Sequence, residues 1–210
     1  MRHFFLALAS SLLITSQSLA WPDSLRPIDQ CSGDPSFAKF QDRLKRVVLK
    51  KDQKALLNLL APDVLVDFGG GSGRKAFEER WSFDPHEYGN VWDQLETMLK
   101  LGCARDAEAR IIPSLVMQLG TDSGDSEPVL ILPGAKLHNG AGDRGPGANV
   151  RPWTLAAATS RESDTMTGVR LPDGRKGYVA DSFLYEPLGY RMTIERRRRE
   201  WTITMFVAGD

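Results

Sequence analysis

"RLPDGRKGYVADSFL", residues 170–184, decides how the second half of this chain is read. Asp173-Gly174 is a strong short-range hairpin signal, because a two-residue primed turn needs positive φ at both central positions. The flanking residues, ending in the aliphatic-aromatic tail Phe183-Leu184, read as two short strands. The neighbours are of the same kind. "VLILP" (129–133), "WTLAAA" (153–158), "TMTGVRL" (165–171), "YRMTIE" (190–195) and "WTITMFV" (201–207) are short, β-prone and separated by turns. Several short strands at such spacing point to a small barrel or sandwich. "GAGDRGPGAN" (140–149) is too rich in glycine and proline for regular structure.

Upstream of about residue 120 the signals are helical. In "PSFAKFQDRLKRVVLKKD" (35–52), Phe37, Phe40, Leu44, Val47 and Val48 recur at helical spacing, while Arg43, Lys45 and Arg46 point away. Asp34-Pro35 places an acid at the cap and proline in the first turn. Asp52 caps a second helix with Leu56, Leu57, Leu59 and Leu60, which Pro62 ends; Val64, Val66 and Phe68 then alternate as a half-buried strand. "RKAFEERW" (74–81) is a short helix. Another is capped by Asn90, carries Trp92, Leu95, Met98 and Leu99, and is stopped by Gly102. The polar "GTDSGDSEP" (120–128) is a natural linker. The fold class is therefore α+β: a mainly helical region with a small sheet (21–119), a β-rich unit (120–188) and a C-terminal β-hairpin (189–210). In that hairpin Tyr190, Met192 and Ile194 alternate against Trp201, Ile203, Met205 and Val207. It either closes the β-rich unit or returns to the first sheet.

The first twenty residues have the parts of a secretory signal peptide. Arg2 and His3 form a basic start, "FFLALASSLLI" (4–14) an apolar core, and Ser18-Leu19-Ala20 a cleavage signal, so cleavage is expected after Ala20. The expected location is periplasmic or extracellular, with no transmembrane anchor. Without Arg2, 26 basic side chains face 27 acidic ones. Such a balance argues against nucleic acid as a partner, since that affinity rests on neutralising phosphates. Cys31 and Cys103 are the only cysteines, and an even count in an oxidising compartment favours a disulfide.

Motifs for chemistry are scarce. "FGGGSGRKAF" (68–77) has the look of a phosphate cradle, yet Arg74 stands where a dinucleotide fingerprint or a nucleophile elbow needs its last glycine, and no register supplies a P-loop. A tight turn before a short helix is the plainer reading. His86 and His138 lie in separate segments with no metal-ligand spacing, so neither a metal nor another cofactor is expected. Glu78 and Glu79 are consecutive on a helix and point apart. The run "RRRR", Arg196, Arg197, Arg198 and Arg199, sits at the tip of the last hairpin between Glu195 and Glu200. It is either a solvated turn or an anion-binding fingertip.

"TMTGVRLPDGRKGYVADSFL" (165–184) resembles the closing strands of bacterial SH3-like (SH3b) domains. There a Val-Arg strand, a turn with Asp/Asn-Gly, a Gly-Tyr/Trp-Val strand and a Tyr/Phe-Leu pair follow one another. Val169, Arg170, Asp173, Gly174, Arg175, Gly177, Tyr178, Val179, Phe183 and Leu184 stand in those places. The family's usual opening, Leu-Asn-Val-Arg, is replaced here by "KLHNGAGDRGPGANV" (136–150), and Met166 holds the place of its tryptophan. The resemblance implies an SH3-like β-barrel at about residues 128–188. Its shallow groove would contact a cell-wall peptide or a periplasmic protein through Tyr178, Trp153, Arg170 and Asp173. The helical part, with "APDVLVDFGGG" (61–71) and the terminal "WTITMFVAGD" (201–210), faintly resembles NTF2-like α+β domains. The expectation is an exported, non-enzymatic binding protein. The alternatives are a wall hydrolase or NTF2-like hydrolase/isomerase using acids such as Asp63, Asp67 or Glu78, and a purely structural role.

Overall fold

The computed structural model describes residues 22–119, 128–161 and 165–209. The expected signal peptide (1–20) and most of the expected linker lie outside the described residues. The architecture is α+β, with two five-stranded sheets and a two-stranded ribbon.

The first helix, α1 (Pro35–Lys50), starts where the sequence places it. The Asp34 carboxylate accepts from the Ser36 and Phe37 amides, and Lys51 closes the helix in the left-handed region. Its stripe of Phe37, Phe40, Leu44, Val47 and Val48 is buried. Asp52 caps α2 (Gln53–Leu59) by accepting from the Ala55 amide. That helix ends before Leu60 rather than at Pro62, because Leu60 already belongs to β1 (Leu60–Leu65), which runs parallel to the last strand with Leu60 opposite Ile203. Pro62 reinforces the switch by holding the residue before it extended. Val64 and Val66 are buried, whereas Phe68 lies past the strand end and is half exposed.

Next come α3 (Arg74–Arg80) and α4 (Val91–Lys100), the latter capped by a fully buried Asn90. Two strands that carry no clear periodicity follow: β2 (Ala104–Asp106) and β3 (Ala109–Ile112). After α5 (Val116–Leu119) the chain becomes β-rich. The strands are β4 (Pro128–Ile131), β5 (Lys136–Leu137), β6 (Ala148–Asn149), β7 (Leu155–Arg161), β8 (Met166–Arg170), β9 (Lys176–Ala180), β10 (Leu184–Tyr185), β11 (Arg191–Arg197) and β12 (Glu200–Val207).

The last two strands occupy the middle of the first sheet, whose order is β1-β12-β11-β3-β2. Strict alternation along β12 fails at one point. Thr193 faces Met205 and Ile194 faces Ile203, so Thr204 is an extra residue and the pairing shifts there. Beyond the bulge Phe206 joins Ile203 in the core, while Met205 is only part-buried.

The second sheet runs β10-β4-β7-β8-β9 and does not close on itself. Both of its faces are used. Val129, Ile131, Ala156, Val169 and Val179 form a core of their own with Leu137 and Leu171, while Leu130, Leu155 and Tyr185 pack into the main core with the helices. This explains why all four residues of β4 are buried: a strand covered on both sides reads as a continuous apolar run. The hairpin at 170–176 differs from the expected primed turn. The Gly174 amide donates to the Leu171 carbonyl at 3.0 Å, and of the loop residues only Gly174 has positive φ. Pro172 fixes its own φ near −65°, which suits the first central position of a type I turn, and Gly174 completes a three-residue loop. The primed two-residue turn lies instead at Arg198-Arg199, with φ of 51° and 73°.

The stretch before α1 ties the two sheets together. The Leu25 amide donates to the Trp153 carbonyl and the Leu155 amide to that of Asp23, while Ile28 and Gln30 exchange backbone bonds with Cys103. Cys31 and Cys103 are joined by a disulfide with their Cα atoms 5.8 Å apart. Closing a loop of 72 residues' separation stabilises the fold by about 4 kcal/mol through the unfolded chain.

No helix of the described residues is long and apolar enough to cross a membrane.

Candidate functional site

A cleft of about 850 Å³ opens where the second sheet meets the end of the last hairpin. From the second sheet it takes Thr159 and Ser160 of β7, Thr167 of β8, and Asp181, Leu184, Tyr185 and Glu186 around β10. From the other side come Tyr88, Gln94, Gly189 and Tyr190.

Local structure fixes these groups in different degrees. Asp181 opens a 3-10 turn (Asp181–Phe183), and its amide donates to the Thr165 carbonyl. Its carboxylate accepts from Thr167 Oγ1 at 2.7 Å, and both residues line the cleft. The back wall is stiff. The Tyr190 ring lies 4.7 Å from that of Trp81 and 5.7 Å from that of Phe206, and the Tyr185 hydroxyl donates to the Tyr190 carbonyl at 2.7 Å. Burial, with Glu186 adding its negative charge, pushes the Tyr185 phenol well above the usual tyrosine range. It stays a neutral donor. The rim is freer: Glu186 is exposed and Tyr88 is 94% exposed.

Hydroxyls, an amide and two carboxylates therefore line the space, and no cationic, histidine or cysteine side chain is among its described lining residues. Such a wall suits a polar ligand that brings hydrogen-bond donors and positive charge.

The residues singled out in sequence lie elsewhere. Trp153 packs against the main core with φ of 65°, its amide donating to the Ile131 carbonyl. Tyr178 is part-buried on β9 opposite Gly168, and its backbone bridges to His138. Arg170 and Tyr178 share one face of the β8-β9 ladder. Asp173 is taken up by its own turn, where it accepts from the Arg175 amide and pairs with the Arg175 guanidinium, and these contacts hold its carboxyl below the ordinary value. Trp153 is thus separated from the other three, and none of the four lines the cleft. Asp63 pairs with Arg197, Asp67 with Arg80, and Glu78 accepts from Gln53; none of these acids lines it either.

The glycine stretch cradles an anion of the protein's own. The Gly71 amide donates to Asp67 Oδ1 at 2.9 Å, Arg80 approaches Oδ2 at 2.6 Å, and these contacts lower the Asp67 pKa. His86 is exposed in a loop, held by its amide to Asp84. No group of histidine, cysteine and acids fit for a metal occurs among the described residues. Gln94, Thr167, Asp181, Glu186 and Tyr190 were not legible as one site, because they come from four segments brought together only by the packing of the two sheets.

No family model and no curated protein matches the chain. Among solved structures it is similar to a substituted variant of Rd1NTF2_05, at 11% identity over 81% of this chain and 94% of the other, with a TM-score of 0.28. It is also similar to an NTF2-like protein with a cystatin-like fold from Novosphingobium aromaticivorans, at 12% identity over 82% of this chain and 79% of the other, TM-score 0.28. Likeness at that level carries nothing for fold or function.

Proposed function

We propose that this chain is an exported, non-enzymatic binding protein whose second sheet is an SH3-like (SH3b) module and whose cleft receives a cell-wall peptide. The observation that carries the reading is the cleft lining. Asp181 and Glu186 complement the free amine of a diamino-acid side chain, and Thr159, Ser160, Thr167 and Gln94 offer hydrogen bonds to peptide groups. The SH3-like assignment rests on the residue pattern at 165–184, and the packing is compatible with it. Val169 and Val179 fill the second core, and a Cβ on Gly177 would stand 2.5 Å from the His138 carbonyl oxygen, so only glycine lets β5 approach β9 so closely.

The test is retention of the exported protein on purified peptidoglycan. Glu186→Gln with Tyr88→Ala, both at exposed positions, should lower retention at least about fivefold, the scale of one or two lost polar contacts, with the melting temperature unchanged. Absence of retention on any wall fraction, or full retention by the double variant, overturns the proposal.

A further inference from the structure

The chain as a whole is electrically balanced, but its first helix is not. Lys39, Arg43, Arg46 and Lys50 follow one another at intervals of four, three and four residues, the spacing of a single helical stripe. All four are exposed on α1, opposite the buried face. Among the described residues none of the four takes part in an ion pair, although Lys75, Arg80, Lys100, Arg110, Arg175 and Arg197 all do. Lys45, Lys51 and Lys54 extend the positive surface, and Asp42 is the single exposed acid within α1. Leu49, 83% exposed, stands next to Lys50 in the middle of this charge.

The arginine-rich hairpin lies beside the first turn of α1. Trp201 Nε1 donates to Ser36 Oγ in the first turn of α1, and the Arg196 guanidinium lies 5.7 Å from the Trp201 ring. Arg197 is held by Asp63. Two of the four arginines are thus committed to fixing the hairpin, which leaves Arg198 and Arg199 at the exposed turn. Both occupy the left-handed region, at φ 51° and 73°, where side chains other than Gly, Asn and Asp are disfavoured.

We propose that α1 and the Arg198-Arg199 tip form a docking face for the phosphate-bearing headgroups of an anionic lipid bilayer. Charge complementarity selects phosphate. The exposed Leu49 among the cations selects a bilayer over a soluble polymer, since an apolar side chain gains nothing from a polyphosphate chain but buries readily at the headgroup boundary. Held there, the stripe sets α1 along the surface.

The experiment uses the full chain, expressed for export and purified, with vesicles of phosphatidylglycerol and phosphatidylcholine at 0.1 M salt. Each cation near such a surface contributes about a fivefold factor in partition. The fourfold variant Lys39→Gln, Arg43→Gln, Arg46→Gln, Lys50→Gln should therefore bind nearly three orders of magnitude more weakly. Arg198→Asn with Arg199→Gly should cost about 25-fold, and Leu49→Gln a few-fold on vesicles alone. Circular dichroism checks that each variant is folded. Equal binding by the fourfold variant overturns the proposal. So does binding to soluble polyphosphate as tight as to vesicles and insensitive to Leu49→Gln, which would assign the face to a polymer. No residue of the face lines the cleft that holds Tyr88 and Glu186, so retention on peptidoglycan and partition onto vesicles fail independently.

Discussion

Trp201 Nε1 donates to Ser36 Oγ at 2.9 Å, joining the last strand to the first turn of the first helix across 165 residues of chain. Around that bond lies a compact network. Ser36 Oγ donates to Asp34 Oδ1 at 2.7 Å, Arg110 approaches Asp34 Oδ2 at 3.2 Å, and the Arg110 guanidinium lies 5.0 Å from the Trp201 ring and 5.8 Å from that of Phe37.

Arg110 has 7% of its side chain exposed and supports both partners at once. Arg110→Ala should destabilise the fold by about 2 kcal/mol, from the lost charge-assisted bond and the lost cation–π contacts. Arg110→Lys should recover less than half of that, because an ammonium cannot both lie over the rings and reach Asp34 as a planar fork does. Urea unfolding curves with unchanged slope would measure it.

The same network sets an acid limit. Its hydrogen bonds, Ser36 foremost, lower the Asp34 pKa from 3.8 to about 2. A depressed folded pKa contributes stability that is present above the unfolded value and lost as pH falls through the folded one. Stability should therefore decline between about pH 4 and pH 2, and Asp34→Asn should flatten the decline in that window. Thermal melts at half-unit steps of pH would show it, and an unchanged slope in the variant would contradict the assignment.

At Gly71 a Cβ would stand 2.1 Å from Asp67 Oδ2. Gly71→Ala must therefore expel the carboxylate from its loop amide and from Arg80, which should lower the midpoint of denaturant unfolding. Asp67→Ala should cost a similar amount, and the two together should cost clearly less than their sum, since both remove one interaction. A double-mutant cycle in denaturant reads the coupling.

Arg198→Asn with Arg199→Gly supplies the residues that a primed turn prefers. Relief of two left-handed arginines should stabilise the protein by about 1 kcal/mol. A stability gain accompanied by weaker vesicle binding would show that the turn trades stability for charge.

The sequence made the helices legible because their signals are local: Asp34, Asp52 and Asn90 each cap the helix that follows within three residues. The hairpin strands were legible for the same reason. The bulge at Thr204 was not, since it reflects how β12 satisfies β11 on one side and β1 on the other. Strands β2 and β3 were not legible because they are short, β2 resting on β3 alone and β3 finding its other partner, β11, across about eighty residues of chain. Among the candidate groove residues Trp153, an aromatic that suits a ligand face, packs against the main core that the two layers share. The cleft that does form depends on Glu186 and Gln94 meeting across those layers, which no short window of sequence contains.

The place of the last hairpin in the first sheet has a consequence for synthesis. Strands β11 and β12 lie at the centre of the sheet, between β1 on one side and β3 on the other. During translation these central strands emerge after both of their neighbours, so β1 and β3 must wait unpaired with each other while well over a hundred residues follow β1. Loss of the final twenty or so residues would remove the middle of the sheet rather than fray its edge. A ribosome that stalls late, or a protease that trims the tail before it docks, would leave a chain whose helices are all made and whose main core has no floor.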